Sequence, residues 1–183
     1  MSRSTLVIAL AALLVGAPAV FAQARPIVPE SRQVQRLPRQ SLNGPRFGFT
    51  TFTGDVARAR QDADMSTIMA QFGWQFETQI VSTKTGGQAL MEWLLLVGGM
   101  EQDDFSAGLA WIAGYRLEGG LEFGVGPNFS WNKNSEDLTT SMVAALGATI
   151  PAAGGDILIP VNVAVAFAEG GPRITTLAGW IIG

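Results

Sequence analysis

Three glutamates and three arginines, Glu77, Glu92, Glu122, Arg46, Arg116 and Arg173, are the side chains whose types and positions could build a charged cluster. A carboxylate pair such as Glu77 and Glu92 could in principle do general acid–base work. The chain has no histidine and no cysteine. That removes His-based triads, thiol nucleophiles and His-containing zinc sites. Opposed carboxylates and guanidiniums in a protein interior more often serve structure, because a buried charge must be paired. No catalytic residue, cofactor or metal is therefore expected, and the chain is not read as an enzyme. The acidic loop segments 101–104 and Glu136-Asp137 could attract Ca²⁺ or Mg²⁺, but they lack the regular ligand spacing of a calcium loop and read as solvated loop tips.

All six charges lie on one parity of alternating segments. From Arg46 onward eight stretches of about ten residues show period two: 46–54, 72–82, 88–97, 105–117, 121–131, 138–150, 157–167 and 173–182. Short glycine-containing turns (TKTGG, EGG, PAAGGD) alternate with longer, more charged connections (55–71, GGMEQDD, NKNSED, AEGGP). The pattern predicts an all-β, antiparallel, eight-stranded up-and-down barrel. Within residues 55–71, Met65, Ile68, Met69 and Phe72 follow helical spacing after Asp64, a plausible N-cap, so a short helix in the first long loop is expected to lead into the second strand. A three-residue Glu118-Gly119-Gly120 loop sets Leu117 opposite Leu121 and predicts an Arg116 to Glu122 pair. Pro127 and Pro160 each delete a ladder donor inside a strand, where local bulges are expected.

One parity of these strands is bulky and apolar, the other small or polar. Such a pattern suits a soluble barrel with the bulky face inside, or a membrane barrel with it outside. Three features favour the membrane. Lys84 and Lys133 are the only lysines and both fall in connections, whereas a water-facing sheet is normally rich in long charged side chains. Aromatics collect toward strand ends as interfacial girdles would: Phe72, Trp74, Phe105, Phe129, Trp131 and Phe167 at one end, Tyr115 and Trp180 toward the other. Segments of about ten residues also match a tilted spanning strand.

Residues 1–24 read as a secretory signal peptide, with Arg3, an apolar run and an Ala22-Gln23-Ala24 cleavage site. Residues 25–45 form a Pro/Arg-rich linker, and 46–183 the barrel domain. The stretch from Arg25 to Arg46 is basic and could tether an anionic envelope partner. The body is acidic, which disfavours nucleic acid.

The signal peptide, eight alternating segments, short turns at one end and the glycine-rich strand GLEFGVGPNFSW resemble the small eight-stranded outer-membrane β-barrels of diderm bacteria. The chain departs from that family at its end, GWIIG, where Trp180 stands three places before the position of the usual terminal aromatic. The resemblance implies residence in the outer membrane, contact with its lipid, and a monomer. Members of such a fold serve as structural proteins, adhesins, lipid enzymes or pores, so fold does not fix role. The leading expectation is a structural or interaction barrel with a polar, mostly plugged lumen. The alternatives are a soluble periplasmic lipocalin-like barrel that binds a small apolar molecule, and a narrow pore.

Overall fold

The computed structural model describes residues 41–134 and 138–182. The predicted signal peptide, all but the last residues of the linker, and Glu136-Asp137 lie outside the described residues. Eight strands alternate up and down: β1 (Gly44–Phe52), β2 (Ile68–Ser82), β3 (Gln88–Gly98), β4 (Ser106–Arg116), β5 (Leu121–Asn132), β6 (Leu138–Ala152), β7 (Ile157–Phe167) and β8 (Arg173–Gly179). Each pairs antiparallel with its neighbour in sequence, and β8 pairs with β1 from Arg46↔Gly179 to Phe52↔Arg173. The sheet is thus a closed barrel without a free edge, as the eight alternating segments predict.

Period two puts successive side chains on opposite faces, and closure turns those faces into an outside and a bore. Every strand presents large apolar side chains outward, among them Phe47, Trp74, Trp93, Trp111, Val125, Leu146, Val163 and Ile174. Inward the strands carry Arg46, Glu77, Glu92, Arg116 and Glu122, all buried, together with Leu90, Ile112, Val143 and Leu177. Glycine matters where backbones crowd. A Cβ on Gly48 would lie 1.8 Å from the Thr176 carbonyl oxygen across the β1–β8 seam, so only glycine fits there.

The β4–β5 hairpin closes with Leu117 N–H donating to the Leu121 carbonyl at 2.7 Å, and with Gly120 in the left-handed region at φ 82°. Gly120 occupies the position that a three-residue hairpin loop reserves for a residue tolerant of positive φ.

The short helix expected in the first long loop is present; its position, and the local effect of the two prolines, differ from expectation. The helix of the first long loop, α1, spans Gly54–Asp62 with Thr53 at its N-cap, and Asp64 lies beyond its C-terminal end. Ile68, Met69 and Phe72 belong to β2, where Ile68 and Phe72 are exposed and Met69 is buried. Their helical spacing arose from the two faces of a strand. The prolines, in turn, leave gaps instead of bulges. Around Pro127 the β4–β5 pairing lapses between Ala110↔Asn128 and Ala113↔Val125 and resumes in the same register. Opposite Pro160, β8 breaks at Trp180 and continues in unchanged register as the short β9 (Ile181–Ile182) against Ile157 and Leu158. The register shift in the barrel falls at Ile80, between Gln79↔Leu90 and Val81↔Ala89.

Candidate functional site

The bore is layered. Its short-turn end is closed by an apolar plug of Leu42, Leu158 and Ile181. Leu42 comes from the segment before β1, which is tied down where the Ser41 hydroxyl donates to the Glu77 carbonyl (2.6 Å) and the Glu77 N–H donates to Asn43 Oδ1 (2.5 Å).

Above that plug lies a charged tier. Arg116 on β4 spans β3 to reach β2, donating to Glu77 from Nη1 (2.9 Å) and Nη2 (2.5 Å). The same guanidinium donates from Nε (2.9 Å) and Nη2 (2.7 Å) to Glu122 of β5. Asn162 on β7 donates to the other Glu122 oxygen at 2.7 Å. Arg46 on β1 donates from Nε to Gln75 Oε1 (3.0 Å) and from its two terminal nitrogens to the Pro45 and Leu42 carbonyls (3.0 and 2.9 Å). Polar contacts therefore cross the bore through β1, β2, β4, β5 and β7. Arg46, counted with the basic stretch by sequence, is 1 % exposed and belongs to this tier.

Glu92 faces Glu77 directly across the β2–β3 pairing. Glu77, Glu92 and Glu122 are buried and offer carboxylate oxygens within 4.8 Å of one another, the one such grouping among the described residues. Arg116 already occupies Glu77 and Glu122, so it stands where a cation held by all three would sit. Of the carboxylate pair Glu77 and Glu92, Glu77 is engaged by Arg116, and both carboxylates lie below an apolar layer.

That layer is Ala110, Ile112, Val143 and Ala166, with Leu94, Ala145 and Ala164 packed against them. It floors a cavity of ≈ 430 Å³ that fills the long-loop half of the bore. Higher on the wall, Thr50 bonds Gln71 and Thr175 (both 2.6 Å), and Asn128 donates to Ser141 (3.3 Å). The α1 residues Val56 and Arg60 also line the cavity. Arg60 is buried and donates from Nη1 to Asp104 (2.5 Å), from Nη2 to Gln102 (3.0 Å) and from Nε to the Ser66 carbonyl (2.8 Å). It clamps the helix to the β3–β4 connection. Burial works to raise the Asp104 carboxyl, but Asn132, Arg60 and Asn134 outweigh it, so this group titrates below the ordinary aspartate range. Glu101, also opposed by burial, is likewise lowered, chiefly by the Ala70 N–H it accepts at 2.8 Å.

Arg173 lies apart from the lower charges. Predicted as part of one network, it stands instead at the long-loop mouth, where Nη1 donates to Ser130 (3.2 Å) and the buried Nε has no hydrogen-bond partner. Its guanidinium and that of Arg60 flank the Phe52 ring, 5.6 and 4.4 Å from its centroid. The separation follows from strand position. Arg173 opens β8 while Arg116 ends β4, so the two sit at opposite ends of the bore.

On the outer face, Phe72, Trp74, Phe129, Trp131, Phe167 and Trp180 are exposed, while Phe105 and Tyr115 are half-buried. Phe105 meets Trp131 edge-on at 6.2 Å, and Tyr115 packs on Phe123 at 6.1 Å. Phe47 joins rings expected at opposite ends, pairing with Phe72 in register and stacking on Trp180 at 5.3 Å. These three rings therefore follow one another across neighbouring strands.

Missing from the sequence reading were the inward apolar residues Leu94, Leu96, Val143 and Leu177. They share a parity with Glu92, Arg173 and other polar residues, so parity alone could not single them out. No protein-family model, curated protein or solved structure matches this chain.

Proposed function

We propose that the chain is a small outer-membrane β-barrel whose apolar outer face meets lipid and whose bore is closed by the charged tier. One observation carries this reading: large apolar side chains are exposed on all eight strands, around the whole circumference. Soluble monomers rarely expose continuous apolar surface beyond a few hundred Å², and a barrel in hydrocarbon presents such a band. Closure fits the same setting, since an unpaired strand edge in lipid leaves backbone groups unsatisfied at several kcal/mol each. The role proposed is structural or interactive, with export directed by the amino-terminal signal segment.

Heat-modifiable migration tests the reading. Unboiled in detergent, the folded barrel should run ahead of the boiled chain, and the protein should sediment with membranes after an alkaline wash. A chain that stays in the aqueous fraction without detergent overturns the membrane assignment. Planar-bilayer recordings test the closed bore: steady conductance through the reconstituted protein would replace a plugged barrel with a pore.

A further inference from the structure

The long-loop cavity combines three features that together describe a ligand. Its volume of ≈ 430 Å³ lies within the roughly 300–1,000 Å³ of small-molecule sites. Its depth is apolar, floored by Ala110, Ile112, Val143 and Ala166. Its mouth is cationic. Of the charged side chains lining it, Arg60 and Arg173 are positive and Asp104 negative, and Asp104 is taken by Arg60. Arg173 has no ion pair among the described residues, and its buried Nε has no acceptor. That Nε is closed to solvent, so an incoming acceptor meets the part of the guanidinium that lines the cavity, whose charge has no carboxylate against it and therefore gains more from an anion than a surface arginine would.

We propose that this cavity binds a single-chain amphiphile with an anionic head, the head accepting from Arg173 at the mouth and the chain lying down on the Ile112 layer. The vertical order of the bore gives the orientation. Arg173 begins β8 and Ser130 stands near the end of β5, both at the long-loop end; Ala110 and Ile112 of β4 and Val143 of β6 stand further from that end along their strands, and Ala166 of β7 lies beside Arg173 in the pairing. The charged tier beneath bars a chain from passing through. Val56 and Arg60 place α1 against the same space, so the helix covers the bound head. A neutral apolar molecule would leave Arg173 as it is, and a small free anion would leave the apolar wall unused. The two halves of the site fit one amphiphile. A carboxylate and a phosphate share the chemistry that Arg173 recognises.

The inference rests on the lumen and not on where the outer face resides. The test uses the full chain in lipid nanodiscs, or in plain buffer if it proves water-soluble, titrated with carboxyl-labelled decanoate against empty discs. Saturable binding above the empty discs is expected, with decanol weaker and acetate unable to displace. Displacement by decyl phosphate would identify a phosphate head, and failure to displace a carboxylate head; either is consistent with the site. Arg173→Gln should weaken decanoate roughly ten- to hundredfold and leave decanol unchanged, while Arg173→Lys retains most of the affinity. Ala110→Phe, which fills the floor, should abolish both. Each variant is checked for heat-modifiable folding, and the wild-type preference for decanoate over decanol stands as a readout even if a variant fails to fold. The proposal is overturned if binding never exceeds that of empty discs, if acetate competes as well as decanoate, or if Arg173→Gln binds decanoate like the wild type.

Discussion

Arg116 neutralises two carboxylates that approach it from β2 and β5, so its loss would leave Glu77 and Glu122 facing Glu92 with only Arg46 nearby. Removing one partner from a buried ion network typically costs about 3–5 kcal/mol. Arg116→Met is therefore expected to lower the unfolding midpoint sharply in detergent, as read by loss of the fast-migrating band on heating. Glu92→Gln should not lower it. The tier holds three carboxylates against two guanidiniums, and Glu92 makes no ion pair among the described residues, so neutralising it removes excess like charge. A stability equal to or above wild type is expected, and a loss as large as that of Arg116→Met would refute this charge balance. Asp104 at the mouth behaves differently. Its carboxyl is held below its unfolded value, so the stability it adds is present above the ordinary aspartate range near pH 4. That stability disappears as pH falls through the lowered folded value. Amide exchange in α1 should accelerate on acidification through that window. Asp104→Asn should loosen the helix by about 1.5–3 kcal/mol already at neutral pH and flatten the acid response.

At the scale of elements, closure depends on the β1–β8 seam, where Gly48 meets the Thr176 carbonyl. Gly48→Ala forces that carbonyl aside and should cost at least about 1–3 kcal/mol, the usual range for overpacking. The expected readout is faster exchange confined first to β1 and β8, and uniform acceleration across all strands would sink the seam interpretation. Strands were legible from sequence because period two is a strong signal over ten residues, and Arg116 with Glu122 could be placed from the loop length of one hairpin. A short helix in the first long loop was expected and is there, but its position was not legible. Gly54–Asp62 carries no apolar stripe, and what it buries is Arg60, held by Asp104 and Gln102. The nearby Met65, Ile68, Met69 and Phe72 imitated one instead. Parity also says which side a residue faces without saying how high it stands. Leu94 and Glu92 share a face two places apart, yet one lines the cavity and the other the charged tier. Only the register between strands separates them, and that register depends on turn geometry and the bulge at Ile80.

For the whole molecule, the closed cylinder sorts its chemistry outward and along its axis: an apolar plug, a crossed charge tier, an apolar floor and a polar mouth inside, and a continuous greasy surface outside. The interior order would serve a barrel in either solvent, whereas the exterior tells them apart. Val125 on β5 is 57 % exposed, between Ala113 and Ala144 on the adjoining strands. In a bilayer an arginine at mid-depth costs about 2–4 kcal/mol, falling to about 0–1 near the interface. In water, an exposed substitution of this kind stays within about 0.5 kcal/mol. Val125→Arg is thus expected to destabilise the lipid-reconstituted barrel severely, while Leu138→Arg, at the loop end of β6 and 67 % exposed, is tolerated. Equilibrium unfolding of both variants in vesicles measures the difference directly. Equal, small effects would mean that the outer face meets water, because only a hydrocarbon surround makes the cost of a charge depend on its height along the strand.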